Sequence, residues 1–228
     1  MNQERVVIRA RLTTPRAAAV AGILFSILLA ASLVLIRLSI PANAPDAGAW
    51  LAGNGRAVRL ALTMVPFAGI AFLWFIGVVR DRLGDHEDRL FATVFLGSGL
   101  LFLAMLFASA AMAGGIILAY DAAPTSLLGS EAYAFARAVT SVILNTYAFK
   151  MAGVFMISTC TLFIRTGVTP RWMALLGYAL ALVLLLTVGE SGWVILVFPL
   201  WILLISVHIL VENFRRKSDV VLTEPAEK

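Results

Sequence analysis

Lys150 is the residue whose type and position most directly suggest chemistry. It interrupts an otherwise uncharged run between Arg137 and Arg165. At a rise of about 1.5 Å per residue, Lys150 lies about 22 Å from Arg165, in the outer third of a bilayer. An ionisable group at that depth is costly and suggests a substrate carboxylate partner or a proton-coupling site. The alternative is a lysine that snorkels to the headgroups or pairs structurally with a carboxylate.

Asn145 and Glu190 extend Lys150 into a candidate polar or transport site. Asn145 lies just over one helical turn from Lys150, toward the outer boundary. Glu190 follows Arg171 at a helical distance of about 28 Å, close to the same boundary. An ion pair between Lys150 and Glu190 would offset the desolvation of both groups. Other carboxylates on that side are possible partners, and the sequence leaves the choice open: Asp121, Glu131 and Asp46.

His208 and Glu212 form a candidate polar pair near the inner boundary. They are four residues apart, so they share one face of a helix. The functional hypothesis is the end of a proton relay or a contact with a partner. The alternative is an interfacial histidine beside an interfacial acid.

The remaining chemistry-bearing residue types do not form a known catalytic pattern. Cys160 is the single cysteine and the chain has two histidines, which argues against a cysteine cluster or a multi-histidine metal site. The sequence contains no Gly-rich phosphate loop and no Ser/His/Asp candidate set. We therefore expect no enzymatic activity, no catalytic residue and no cofactor or metal.

The composition indicates that lipid is the main solvent of this chain. Of its 228 residues, 61% are hydrophobic and 14% are charged. Water-soluble domains are about 45–50% apolar and about 25% charged. An ordinary soluble enzyme, a disordered protein and a secreted disulfide scaffold are therefore excluded.

Long apolar segments predict an all-α, polytopic membrane bundle of six transmembrane helices in a single domain, 1–228. A hydrocarbon core of about 30 Å requires about 20 apolar helical residues. Backbone groups in lipid must be satisfied internally, and the lack of period-two alternation favours helices over a barrel. The predicted spans are about 17–36, 60–79, 90–113, 142–164, 172–189 and 193–211.

The basic residues predict that the N-terminus and the C-terminus are both cytoplasmic. Cytoplasmic loops carry an excess of Lys and Arg. The net charge of +5 is explained by this bias, so it does not indicate nucleic-acid binding. Apart from Lys150, only four basic residues fall on the predicted outer side: Arg37, Arg56, Arg59 and Arg137.

The connections are expected to differ in character. Residues 41–55 are rich in Ala, Gly, Pro and Asn, so they predict an irregular connector. Gly114 and Gly115 predict a break in the third span at the outer surface. A helix is expected to start near Ser130 and run into span four. Residues 190–192 are short enough to make spans five and six an antiparallel hairpin.

A resemblance adds a biological setting. The stretch from Phe72 to Phe102, which includes Gly-Asp-His-Glu-Asp-Arg-Leu-Phe-Ala at 84–92, resembles small multi-span bacterial membrane proteins of unassigned function. The length and six-span layout of the whole chain are similar to theirs. The resemblance implies a bacterial inner-membrane location and transfers no catalytic residue.

Two function hypotheses follow from these residues. The first is a non-enzymatic structural or accessory membrane component, and the small-residue face of span three would allow it to form a homo-oligomer or bind a membrane protein partner. The second is a small-solute or ion transporter with its site near Lys150, Asn145 and Glu190. In both, the lipid bilayer is the main partner.

Overall fold

The chain is helical wherever the structure describes it. The computed structural model describes residues 2–40, 49–83, 89–167, 169–187 and 192–223. No strand occurs within these ranges. The helices are α1 (Asn2–Ser39), α2 (Ala49–Leu83), α3 (Arg89–Ala122), α4 (Pro124–Leu127), α5 (Glu131–Val142), α6 (Phe149–Thr166), α7 (Arg171–Leu186) and α8 (Val197–Thr223). A π-helical segment, Ile143–Ala148, joins α5 to α6, and a 3-10 turn, Gly192–Leu196, precedes α8.

Five helical stretches are long and apolar enough to cross a membrane. They are Ala17–Ser39, Gly53–Arg80, Ala92–Ala122, Glu131–Thr166 and Gly192–Arg215. Each contains or overlaps one predicted span. The remaining predicted span, 172–189, corresponds to α7, which has 16 residues and is therefore about 24 Å long. The all-helical, membrane-type architecture is thus confirmed, while the six-span count and the orientation of the termini stay predictions.

The predicted break in span three is wrong, the predicted connector 41–55 is wrong over residues 49–55, and the predicted helix start near Ser130 is confirmed. Helix α3 continues through Gly114 and Gly115 to Ala122, because a continuous helix keeps every backbone hydrogen bond in an apolar setting. Helix α2 already begins at Ala49, inside the predicted connector 41–55. The helix expected near Ser130 does start there, with the Ser130 hydroxyl accepting the N–H of Tyr133 at its N-cap.

Successive long helices pack antiparallel. Asn54 and Ala61 of α2 contact Ser39 and Ser32 of α1, so residue numbers rise on one helix as they fall on the other. The same relation holds for α3 with the α5–α6 run and for α6 with α7. The residue pairs that define it are Ser109 with Thr140, Gly99 with Phe155, Lys150 with Leu185, and Thr161 with Tyr178. The predicted hairpin turn between α7 and α8 includes residues 190 and 191, which lie outside the described residues.

Fully buried phenylalanines fill the middle of the bundle. We call this group the phenylalanine cluster; its members are Phe25, Phe72, Phe75, Phe95, Phe102, Phe155 and Phe198. Phe72 of α2 is its centre, with ring centroids 4.6 Å from Phe25 and 5.2 Å from Phe155. The cluster therefore joins α1, α2, α3, α6 and α8 through one dry contact region.

Candidate functional site

The Lys150 side chain contacts the C-terminal end of a neighbouring helix, α7. Its Nζ donates a hydrogen bond of 2.7 Å to the carbonyl oxygen of Leu185. Helix α7 ends at Leu186, so the Leu185 carbonyl has no N–H partner within the helix. The C-terminal end of a helix carries partial negative charge, which favours a cation there. Lys150 thus links α6 to α7 by a charged cap.

We expect Lys150→Met to destabilise the bundle by about 1–2 kcal/mol, because a hydrogen bond from a charged donor is lost and a helix-end carbonyl is left unpaired. The measurement is the free energy of unfolding in a mild detergent. Lys150→Arg is the matched control, because it keeps a cationic donor and should retain part of the stability. Unchanged stability of Lys150→Met, combined with loss of a cellular uptake phenotype, would instead favour a ligand-binding role for Lys150.

Two of the four carboxylates proposed as partners of Lys150 lie elsewhere. Asp121 accepts two hydrogen bonds of 2.7 Å from the Arg59 guanidinium, which joins α3 to α2. Glu131 is exposed in the first turn of α5. Glu190 and Asp46 lie outside the described residues. A pair between Lys150 and Glu190 therefore stays a prediction.

Asn145 and the inner pair lie on different helical elements from Lys150. Asn145 lies in the π-helical segment, and its amide donates a 3.1 Å hydrogen bond to the Ser141 hydroxyl. π-Helical turns inside α-helices occur frequently at functional sites. His208 and Glu212 are one turn apart on α8, and both are partly buried.

Asn145 borders a cavity at one end of the bundle. The cavity has a volume of about 190 Å³ and lies between α1, α2, α3, α5, the π-helical segment and the turn before α8. We call this the cavity end of the bundle. The polar side chains that line the cavity are Ser32, Arg37, Ser109, Tyr133, Arg137, Thr140, Ser141 and Asn145. Lys150 is not part of its wall.

The rest of the cavity wall is apolar and belongs to two separate cores. Leu29, Val65 and Leu106 line the cavity and pack in the same buried core as the phenylalanine cluster. Val58 and Ile116 line it from a second, smaller core near the ends of the helices. The cavity therefore separates the two cores, and the main core closes it toward the middle of the bundle.

Helix geometry explains why the polar side chains converge there. Tyr133, Arg137, Thr140 and Ser141 are spaced at intervals of four, three and one along α5, so they share one face. Arg37 lies in the last turn of α1. Small residues on α3, Ser109 and Ala110 among them, leave the space that the cavity occupies.

From the sequence, Arg37 and Arg137 indicate only the orientation of the spans in the membrane; they are not predicted as site residues. Both are half-buried in the cavity wall. A usable signal was present, because each lies next to an apolar segment on the side with few basic residues. Which helices face each other, and hence whether two such arginines meet, depends on tertiary packing.

Within the described residues, no group of three or more His, Cys, Asp or Glu side chains is arranged to hold a metal ion. The cavity wall contributes hydroxyl, amide and guanidinium groups instead. These groups suit binding of a ligand by hydrogen bonds and charge.

Comparison with protein-family models, with curated proteins and with solved structures finds no significant match to this chain.

Proposed function

We propose that this chain is a non-enzymatic, multi-pass protein of the bacterial inner membrane that binds a small solute in the cavity. In this proposal the bundle has six spans with both termini in the cytoplasm, so the cavity end faces outward. The distribution of basic residues supports that orientation. The bacterial setting depends on the resemblance of residues 72–102 to small bacterial membrane proteins.

The observation that carries the proposal is a cavity at one end of an apolar bundle, whose mainly apolar wall also contains two arginines and several hydroxyl groups. Polar groups within a membrane are costly, so a concentration of them at one cavity suggests a binding role. The cavity ends at the main core, where the phenylalanine cluster fills the space between the helices. A solute that passed through would need the helices to rearrange, so the arrangement favours a carrier or a binding protein over an open pore.

Thiol labelling tests water access to the cavity. Cys160 is buried and is the single cysteine, so Cys160→Ser gives a thiol-free background. In that background we expect Thr140→Cys, on the cavity wall, to react with a membrane-impermeant thiol reagent added outside intact cells. Ile117→Cys is the matched control, because Ile117 is buried at the same end of the bundle and does not line the cavity. It should react at least about tenfold more slowly, since thiolate formation requires water.

A second candidate function is a structural or accessory membrane component that forms a homo-oligomer or binds a membrane protein. The use of Lys150 and of the Arg59–Asp121 pair for contacts between helices favours it. Equal, slow labelling of Thr140→Cys and Ile117→Cys in a folded protein would mean a closed cavity. That result would remove the solute-binding proposal and leave the structural one. Fast labelling only from the cytoplasmic side would reverse the proposed orientation.

A further inference from the structure

Three of the five hydroxyl groups of the cavity wall are engaged as donors. Ser32 donates to the carbonyl oxygens of Leu28 and Ala61 at 2.8 and 3.0 Å. Ser109 donates to the Thr140 carbonyl at 3.0 Å. The Thr140 hydroxyl donates to the Ala136 carbonyl at 2.7 Å. Each hydroxyl has one hydrogen, so these three side chains offer a ligand lone pairs and no donor.

The strong donors of the cavity are therefore the two guanidinium groups. Arg37 on α1 and Arg137 on α5 each carry five N–H groups in a planar fork. Neither makes a hydrogen bond or an ion pair within the part of the chain that the structure describes, in contrast to Arg59, which is paired with Asp121. The described lining residues include no Asp or Glu.

Two guanidinium groups that have no carboxylate partner among the described residues, beside aliphatic walls, favour an anion. A partly desolvated charge without a partner is costly, and a bound counter-charge offsets that cost. The guanidinium fork matches a carboxylate in two parallel hydrogen bonds. A neutral polyol would instead need several donors and acceptors around it, and three of the hydroxyl donors of the wall are already engaged.

Resting on the proposed solute-binding function, we infer that the ligand is a small organic anion: a carboxylate on a compact apolar body. Arg37 and Arg137 bind the carboxylate, and the aliphatic side chains of the two cores enclose the apolar body. The cavity of about 190 Å³ exceeds the 150 Å³ of an engineered apolar cavity that accommodates benzene. It therefore holds a ring or a short chain and excludes the two acyl chains of a whole lipid.

The test is binding of straight-chain carboxylates, from butanoate to dodecanoate, to the full chain in discs of phosphatidylcholine. Partition into lipid alone increases on the order of fourfold per methylene without a limit in this range. Binding in the cavity should increase and then level off at the chain length that fills it. The matched primary amides, which have similar shape and no charge, should bind about tenfold or more weakly. Empty discs give the partition baseline.

Substitutions of the two arginines test whether they bind the carboxylate. Arg37→Gln and Arg137→Gln should each weaken octanoate binding by about tenfold or more, because each removes charged hydrogen bonds. Arg56→Gln is the matched control: Arg56 is exposed at the same end of the bundle and does not line the cavity, so affinity should be unchanged. Arg37→Lys keeps the charge without the fork and should retain intermediate affinity. Size-exclusion profiles in detergent confirm that each variant is folded.

The outcomes separate this inference from the proposed function. Amides that bind as tightly as the acids, with binding abolished by the cavity-filling Ala110→Leu, would overturn the anion and leave solute binding intact. Octanoate binding that Arg37→Gln and Arg137→Gln leave unchanged would also overturn it. Absence of binding together with an unlabelled Thr140→Cys would contradict both the anion site and the proposed solute-binding function. Phosphatidic acid that displaces octanoate would overturn the compact carboxylate and assign the two arginines to a lipid headgroup, and no displacement would support a solute from water.

Discussion

Phe72→Ala should lower the free energy of unfolding by about 3–5 kcal/mol, the range for removal of a buried aromatic ring from a packed core. Phe72 is fully buried, and its ring lies 5.4 Å from that of Phe102 and 5.8 Å from that of Phe198. With Phe25 and Phe155, these rings come from four helices other than α2. The truncation would leave a void at the junction of all five helices, where relaxation of one helix is opposed by the others.

The measurement is equilibrium unfolding in mixed micelles, followed by tryptophan fluorescence. Phe67→Ala is the control, because Phe67 is on the same helix and its side chain is 63% exposed on the surface of the bundle. It should change stability by less than about 1 kcal/mol, since surface substitutions have small effects. Equal losses for the two variants would show that the phenylalanine cluster is not the main stabilising contact.

Gly177→Ala should destabilise the protein by about 1–3 kcal/mol through overpacking. Gly177 lies where α7 meets α6 and α8. An added Cβ would collide with the Cys160 sulfur and would lie 2.7 Å from Nε1 of Trp201. The Trp201 side chain is fully buried, so its indole ring has little room to move.

Gly77→Ala is the control, because its effect on the free energy of unfolding should be zero or stabilising. Gly77 is in the middle of α2, and an added Cβ would meet nothing within 4 Å. Because alanine favours a helix over glycine by about 1 kcal/mol, this variant should be as stable as the parent or more stable. If Gly177→Ala behaved in the same way, the close approach of α7 to Trp201 would be contradicted.

Hydropathy was sufficient to predict the helical, membrane-type architecture, and it failed where helices end. The apolar runs predicted the five long helices because burial in lipid acts on composition, which a sequence displays directly. The break at Gly114 and Gly115 was wrong because glycine destabilises a helix only by about 1 kcal/mol relative to alanine, far less than exposed backbone groups would cost in lipid. Helix α3 therefore continues to Ala122.

The candidate site was harder to predict, because its members come from distant parts of the chain. Depth along a span can be counted, so the unusual position of Lys150 was recognisable. The sequence gives no sign that the end of α7 would lie beside it, since the Leu185 carbonyl is a backbone group without a residue signature. Arg37 and Arg137 are 100 residues apart in the sequence, and only the packing of α1 on α2, of α2 on α3 and of α3 on α5 brings them to one cavity.

The number of residues in the π-helical segment Ile143–Ala148 determines how α5 is rotated relative to α6. A π-turn holds one more residue than an α-turn. Deleting a single residue there would restore a regular helix and rotate α5 by about 100° relative to α6. Thr140 and Arg137 would then turn away from α1 while α6 kept its contacts with α7. An insertion or deletion in this stretch should therefore alter the cavity wall, even when the span remains long and apolar.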